Sequence, residues 1–329
     1  MKTVRLGILG CANIVEKYIV SAIKEVKTCH LVAIASRDPE KAKDWAKRFS
    51  CGYENSYEDL LRREDIDAVY LPLPVGLHQE WVIRAANAGK HVLCEKSLAE
   101  SFDSVKKMVL ACRNRGLHLY ENFMCHYHPQ HEKVISLINN NEIGKPFLFR
   151  GSFAFPPLPE SNIRYSKELG GGSLNDAGAY PLFMVRKIFA NEPEAVTCRL
   201  QYQKQMVDIQ GNALLEFPHE RSAFISFGFN NFYQNNYSVW GEKGLITVNR
   251  AYSIPPEMKP EVELQQQGFS QKVEVNAENH FTLIFSDFCD ALLQNKKLEY
   301  GPLLAQARVM EALRRSAEQN RKVGLSEIE

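Results

Sequence analysis

The sequence predicts an α/β protein: an N-terminal doubly wound parallel sheet, then a C-terminal α+β domain with a large, mainly antiparallel, open-faced sheet. Three observations carry this expectation. Short apolar runs alternate with stretches of helical spacing through residue 122, the pattern of strands joined by crossover helices. From residue 123 the runs lengthen and alternate in period two, as antiparallel strands with one solvated or partner-covered face do. A chain of 329 residues also exceeds the usual reach of one core, so two domains are expected, 1–122 and 123–329.

Each element has its own signal. Residues 4–10 form a short apolar run, and 14–26 follow with helical spacing. Residues 30–36 read as the next strand. Asp38 then stands as an N-cap before Pro39, opening a helix to residue 49. Ser56 and Asp59 resemble a capping box ahead of Leu60 and Leu61. Residues 67–73 are a strand, 78–87 a helix stopped by Gly89, and 91–94 a strand. A helix over 101–115 ends at Gly116, and 118–122 is the last strand of the first domain. In the second domain a helix over 130–139 precedes strands at 146–155, 195–203, 211–217, 221–229 and 236–249. Helices over 281–294 and 302–320 close the chain.

Composition removes several function classes. A net charge of +1 gives no global field for nucleic acid or an anionic membrane. No apolar run approaches the length of a membrane span, and residues 1–3 lead directly into a strand with no leader-like segment. The eight cysteines are scattered without a C-x-x-C pair, which fits free thiols in a reducing compartment. A soluble cytoplasmic protein is expected. His126, His128 and His131 fit no single helical face and have no acid or cysteine to complete a tetrahedral set, so no metal is expected.

Between the first strand and first helix lies Gly7-Ile8-Leu9-Gly10-Cys11-Ala12-Asn13-Ile14-Val15. Gly10 makes the turn, and the amides of Cys11, Ala12, Asn13 and Ile14 at a helix N-terminus can receive a diphosphate. The fingerprint is degenerate, with Ala12 and Val15 in place of its second and third glycines. An ordinary strand–helix turn needs only Gly10. The second strand ends in Ser36-Arg37, where NAD-specific domains carry an acid; an arginine there, with Ser36 and Lys41, suits the 2′-phosphate of NADP(H). Asp38 is explained as the helix cap. The carboxyl ends of later strands add Leu73, Pro74, Leu77, His78, Glu95, Lys96 and Asn122 to the cofactor candidates.

These motifs occur together with Pro74-Val75-Gly76-Leu77-His78, Ala88-Gly89-Lys90-His91-Val92-Leu93-Cys94-Glu95-Lys96 and the glycine-rich residues 170–180. In that order and spacing the chain resembles, over its whole length, the glucose–fructose oxidoreductase/inositol dehydrogenase (Gfo/Idh/MocA) family, whose first domain is a Rossmann fold. Ser97 departs from the proline usual there, which puts only local backbone stiffness in question. Much of the family reads D-x-G-x-H in the later motif. Here the spacing gives Asp176, Gly178 and Tyr180, which narrows the resemblance to branches with tyrosine: dimeric dihydrodiol dehydrogenases, glucose–fructose oxidoreductase and nucleotide-sugar 3-ketoreductases. Glu121-Asn122-Phe123-Met124, His128-Pro129-Gln130, Phe155-Pro156-Pro157-Leu158-Pro159 and Ile163-Arg164-Tyr165 are most similar to the last group.

The resemblance implies NADPH-dependent reduction of the C-3 ketone of a dTDP-linked keto-deoxyhexose, in a homodimer or homotetramer formed through the C-terminal sheet. The chemistry is consistent. A tyrosine is protonated at neutral pH, and a nearby lysine ammonium lowers its pKa and stabilises a developing alkoxide. Tyr180 is thus the expected proton donor and Lys96 its partner. Asp176, four residues before Tyr180, is expected on the same helix face. His126, Arg164 and Tyr165 join Lys96, Asp176 and Tyr180 as substrate candidates, and Arg164 is also a cofactor candidate. Residues 170–172 are expected to let backbone approach the cofactor or sugar closely. The same pair serves the oxidative direction, so a dehydrogenase of a free sugar or trans-dihydrodiol stays open. A non-catalytic NADP-binding regulator is the reading from another class, and the presence of both Lys96 and Tyr180 argues against it.

Overall fold

A computed structural model describes residues 2–203 and 206–329. The chain divides into two compact units, Met1–Met124 with His280–Leu304, and Cys125–Asn279 with Ala305–Glu329.

The first unit begins with β1 (Val4–Leu9), a wide (π) turn at Val15–Ile19, α1 (Val20–Glu25), β2 (Cys29–Ala35), α2 (Pro39–Phe49), β3 (Gly52–Glu54) and α3 (Tyr57–Arg62). It continues with β4 (Ala68–Leu71), α4 (Val75–Asn87), β5 (His91–Glu95), α5 (Phe102–Arg113) and β6 (Leu119–Asn122). The six strands order as β3-β2-β1-β4-β5-β6, every neighbouring pair parallel. Chain order reverses beside β1, and ligands of such sheets sit beyond the strands' carboxyl ends at that reversal. Two helix starts follow the expected caps, at Asp38 and Ser56, and Ser101 adds a third. Asp38 accepts from the amides of Glu40 and Lys41, Ser56 from Asp59, and Ser101 from Ser104. The three-residue β3 had no sequence signal, being too short to show a period.

The second unit holds α6 (Pro129–Asn139), β7 (Pro146–Ala154), a wide turn at Leu174–Gly178, and α7 (Ala179–Phe189). Strands β8 (Ala195–Gln203), β9 (Val207–Phe217), β10 (Arg221–Gly228), β11 (Gln234–Gly241), β12 (Gly244–Asn249), β13 (Glu261–Gln266) and β14 (Phe269–Val273) follow. They join β15 (Val323–Gly324) in one nine-stranded sheet ordered β14-β13-β12-β11-β7-β10-β9-β8-β15. Only the central pair β7–β10 is parallel. Phe149, Phe153, Ile225, Tyr237 and Val239 are buried on its inner face, while Phe224 and Trp240 are 51% and 46% exposed.

Two expectations change here. The period-two run over 236–249 is a hairpin, not one strand, turning at Glu242-Lys243 with the Lys243 amide bonded to the Ile143 carbonyl at 2.8 Å. Its alternation continues through the turn, which hid the break. The helix α8 (His280–Leu293), expected in the second domain, belongs to the first unit. Its stripe of Phe281, Phe285 and Phe288 packs on Tyr18, Tyr70 and Tyr120, with ring centroids 5.0, 5.5 and 5.2 Å apart. Burying large apolar side chains contributes about 1.5–3 kcal/mol each, and that tertiary gain places the helix. The last helix, α9 (Gly301–Gln319), lies in the second unit from Ala305 onward, where Gln306 donates to the Ala179 carbonyl.

Candidate active site

In the first unit the loop after β1 turns sharply at Gly10. Gly10 adopts φ +124°, and its amide donates to the Ala35 carbonyl at 2.9 Å. A Cβ at Gly10 would stand 3.0 Å from Leu73 Cδ2, so this is a position where glycine alone is unstrained. Cys11, Ala12, Asn13 and Ile14 follow with some exposure and lead into the helix, and the Val15 amide closes on the Ala12 carbonyl. Lys41 Nζ donates to the Cys11 carbonyl at 2.9 Å and lies 5.3 Å from the Trp45 ring, bracing the turn with a cation. Burial raises the Cys11 thiol pKa, against Lys41 and Ser36, keeping it a neutral thiol.

Beyond β2, Ser36 is buried and its Oγ accepts from the Asp38 amide at 3.1 Å. Asp38 caps α2 through its Oδ1, which accepts from the Glu40 and Lys41 amides. Arg37 is exposed. The buried Tyr57 turns its hydroxyl to Arg37, which opposes the rise that burial imposes on the phenol pKa. A glycine-only turn at a helix N-terminus with an arginine after the second strand fits a dinucleotide carrying a 2′-phosphate.

The ends of β4 and β5 are tied together by a histidine. The helix α4 starts at Val75 behind Pro74, three residues earlier than expected, because the Leu77 amide already bonds to the Pro74 carbonyl at 2.9 Å. His78 therefore lies in its first turn and is fully buried. Its Nε2 is 2.8 Å from the Leu73 carbonyl oxygen, and its Nδ1 is 3.0 and 3.2 Å from those of Ser97 and Leu98. Burial holds its pKa below the usual range. No face of the ring reaches solvent, and its partners are backbone carbonyls of the two loops. Asn122 is likewise fully buried, and its Nδ2 donates to Glu95, which also accepts from Tyr70 at 2.5 Å. Burial is the largest influence on the Glu95 carboxyl and raises its pKa; Tyr70, Asn122 and Lys96 oppose it. Lys96 follows directly, half-buried, with its peptide bond to Ser97 cis.

In the second unit a helical stretch runs through the wide turn Leu174–Gly178 into α7, and carries both Asp176 and Tyr180. Tyr180 is 5% exposed, its ring edge-on to Phe153 at 5.1 Å and 6.0 Å from Tyr252. Asp176 Oδ2 accepts from Arg164 Nε at 2.6 Å, joining two candidates into one ion pair. Tyr165 is used structurally: its hydroxyl donates to Asn230 Oδ1 at 2.9 Å and accepts from the Leu158 amide. Gly171 and Gly172 admit the chain itself. A Cβ at Gly171 would overlap the Arg164 and Ser166 carbonyls, and one at Gly172 the Asp208 carboxylate.

Asp208 and Arg314 were not foreseen. Asp208 accepts from Ser173 Oγ at 2.7 Å and the Leu174 amide at 2.6 Å, holding the start of the helical stretch. Arg314 donates to Asn175 Oδ1 at 2.6 Å. Neither carries a local motif, and only the fold brings them here. His126 faces Lys187, whose Nζ is 3.0 Å from its Nδ1 and also donates to the His126 carbonyl and Glu132. His128 caps α6, and His131 bridges the Tyr237 hydroxyl and the Ala251 carbonyl, each at 3.0 Å. Among the described residues no group of three or more His, Cys, Asp or Glu could hold a metal ion.

Residues 4–123 match the family model described as "Oxidoreductase family, NAD-binding Rossmann fold", and residues 131–247 match the "GFO/IDH/MocA C-terminal domain". The chain belongs to the GFO/IDH/MocA oxidoreductase family. A dTDP-3,4-didehydro-2,6-dideoxy-α-D-glucose 3-reductase of Saccharopolyspora spinosa is 39% identical over 280 residues, 84% of each chain. The enzyme of that name from Actinomadura kijaniata is 35% identical, over 95% of this chain and 96% of its own. A crystal structure of a 3-ketoreductase from A. kijaniata with NADP and TDP-benzene superposes with a TM-score of 0.93 at 34% identity, covering 96% and 98% of the two chains. Among the described residues of this GFO/IDH/MocA member, no helix is long and apolar enough to cross a membrane.

Proposed function

We propose that this oxidoreductase reduces the C-3 ketone of a dTDP-linked keto-deoxyhexose with NADPH, Tyr180 giving the proton and Lys96 acting as its electrostatic partner. One observation carries the reading. Crystals of the A. kijaniata 3-ketoreductase with NADP and TDP-benzene include variants at one tyrosine and one lysine. Those two positions have the same separation along the chain as Lys96 and Tyr180.

When bound, NADPH supplies the hydride that the ketone carbon receives. The residues of this chain do the rest. Tyr180 gives its phenolic proton to the ketone oxygen, and the Lys96 ammonium stabilises the negative charge that develops on both oxygens. Arg37, presented by Tyr57, holds the 2′-phosphate, and the amides after Gly10 hold the diphosphate. Asp176 orients the sugar end of the substrate, and Arg164, paired with it, faces the diphosphate. Copies of the chain pair through the outer face of the nine-stranded sheet, where Phe224 and Trp240 stand in solvent. The eight free thiols, five of them buried, suit the cytoplasm.

The test is NADPH oxidation at 340 nm with a dTDP-3,4-diketo-2,6-dideoxyhexose generated in situ. It is run beside NADP⁺ reduction with xylose and with a trans-dihydrodiol. Turnover confined to the nucleotide sugar is the expected result. Turnover confined to the oxidative assays overturns the substrate assignment and leaves the Lys96/Tyr180 chemistry in place.

A further inference from the structure

Phe232 is 86% exposed, the most exposed large hydrophobic side chain among the described residues. Its backbone is not loose. On one side the Asn231 amide donates to the Phe155 carbonyl at 3.1 Å, and Asn231 Nδ2 donates to Gln210 at 2.9 Å. On the other, the Tyr233 hydroxyl accepts from Arg250 at 2.8 Å and from Asn235 Nδ2 at 2.9 Å, with the Arg250 guanidinium 4.8 Å from the ring centroid. Both neighbours are pinned and the ring between them is held out into water. Exposing a phenylalanine costs burial free energy that a fixed loop could have recovered by turning the ring inward.

The loop lies at the carboxyl ends of the parallel strands β7 and β10, where the catalytic tyrosine also packs. From Tyr180 a run of ring contacts leads through the core to the buried Phe229, three residues before Phe232 in the chain. Phe153 is 5.1 Å from Tyr180, Phe155 is 6.0 Å from Phe153, and Phe229 is 4.9 Å from Phe155. Arg164 lies 5.9 Å over Phe155, which sets a cation along the same path. A nucleotide sugar presents the same sequence of chemistries: a reacting ring, a diphosphate, then a flat base. We infer that Phe232 is the stacking platform for the pyrimidine base of the substrate, and so a specificity residue for the nucleotide. The inference rests on the nucleotide-sugar reading above.

Stacking a base on an aromatic side chain is lost on truncation to alanine, which corresponds to an affinity change on the order of 10- to 100-fold. Phe232→Ala and Phe232→Trp are compared with wild type in the full chain, measuring dTDP affinity by calorimetry, KM and kcat for the dTDP-keto sugar, NADPH affinity, and oligomeric state by sedimentation. Phe232→Ala should weaken dTDP and raise KM by that factor, with kcat at saturation within about threefold and NADPH affinity kept; Phe232→Trp should restore both. Unchanged dTDP affinity and KM in Phe232→Ala, with a shift in oligomeric state, overturns the inference and makes Phe232 a contact between copies. Equal losses for dTDP and NADPH mean general damage and also overturn it. A wild type that neither binds dTDP nor turns over the nucleotide sugar refutes the function reading itself, and this inference falls with it.

Discussion

Replacing Tyr180 by phenylalanine separates chemistry from packing. The ring is 5% exposed and rests on Phe153 and Tyr252, so Phe keeps its apolar contacts and removes only the hydroxyl. Losing one hydrogen-bonding group changes stability by roughly 1 kcal/mol, a shift of a few degrees in Tm for a chain of this size. Turnover responds on another scale. General acid catalysis contributes about 10²–10⁴-fold, equivalent to about 2.7–5.4 kcal/mol of barrier. Tyr180→Phe should lower kcat for NADPH oxidation by that factor while NADPH affinity, read by fluorescence titration, stays within about twofold. The residual rate should also lose the alkaline limb of its pH profile. A variant turning over within about threefold of wild type, with that limb intact, removes Tyr180 from proton transfer.

Three further outcomes are expected. Arg37→Ala should weaken NADPH by about 10- to 100-fold, the range for a hydrogen bond to a charged group, and leave NADH nearly unchanged; equal losses refute the 2′-phosphate assignment. Asp176→Asn breaks an ion pair whose side chains are 38% and 20% exposed, so unfolding should move by less than about 1 kcal/mol while kcat/KM falls at least about tenfold. If Arg164 and Asp176 act as one unit, adding Arg164→Gln costs little more; additive losses separate them. Burial pushes His91 and His128 down to about 4 and His131 well below its usual value. These rings are neutral in the fold, whereas the unfolded chain takes up protons near pH 6.5. The stability they contribute is complete above about pH 6.5 and is lost as pH falls toward 4, each ring adding up to about 1.4 kcal/mol per pH unit. Tm should therefore drop between pH 7.5 and 5, and His91→Gln should flatten that slope; a flat wild-type profile contradicts the assignment.

The legible parts of this protein are those whose physics is local. The Asp38 cap, the turn at Gly10, the strand ending at Lys96 and the four-residue step from Asp176 to Tyr180 each depend on neighbours in sequence, so residue type and spacing disclosed them. The two-part fold class followed from hydrophobic period, because a strand or helix must bury its own stripe. Partnership over long sequence separations was not legible. The burial of His78 between two loops, the Arg164–Asp176 pair, the packing of Gly171 on chain carbonyls and of Gly172 on Asp208, the Asp208 bonds at the helix start and the Arg314–Asn175 bond all arise when distant segments meet. The transfer of α8 to the first unit has the same origin: its stripe specifies that it must be buried, while the choice of Tyr18, Tyr70 and Tyr120 as partners belongs to the packed core. A hydrophobic pattern states how much surface must leave water; only the tertiary structure decides against what.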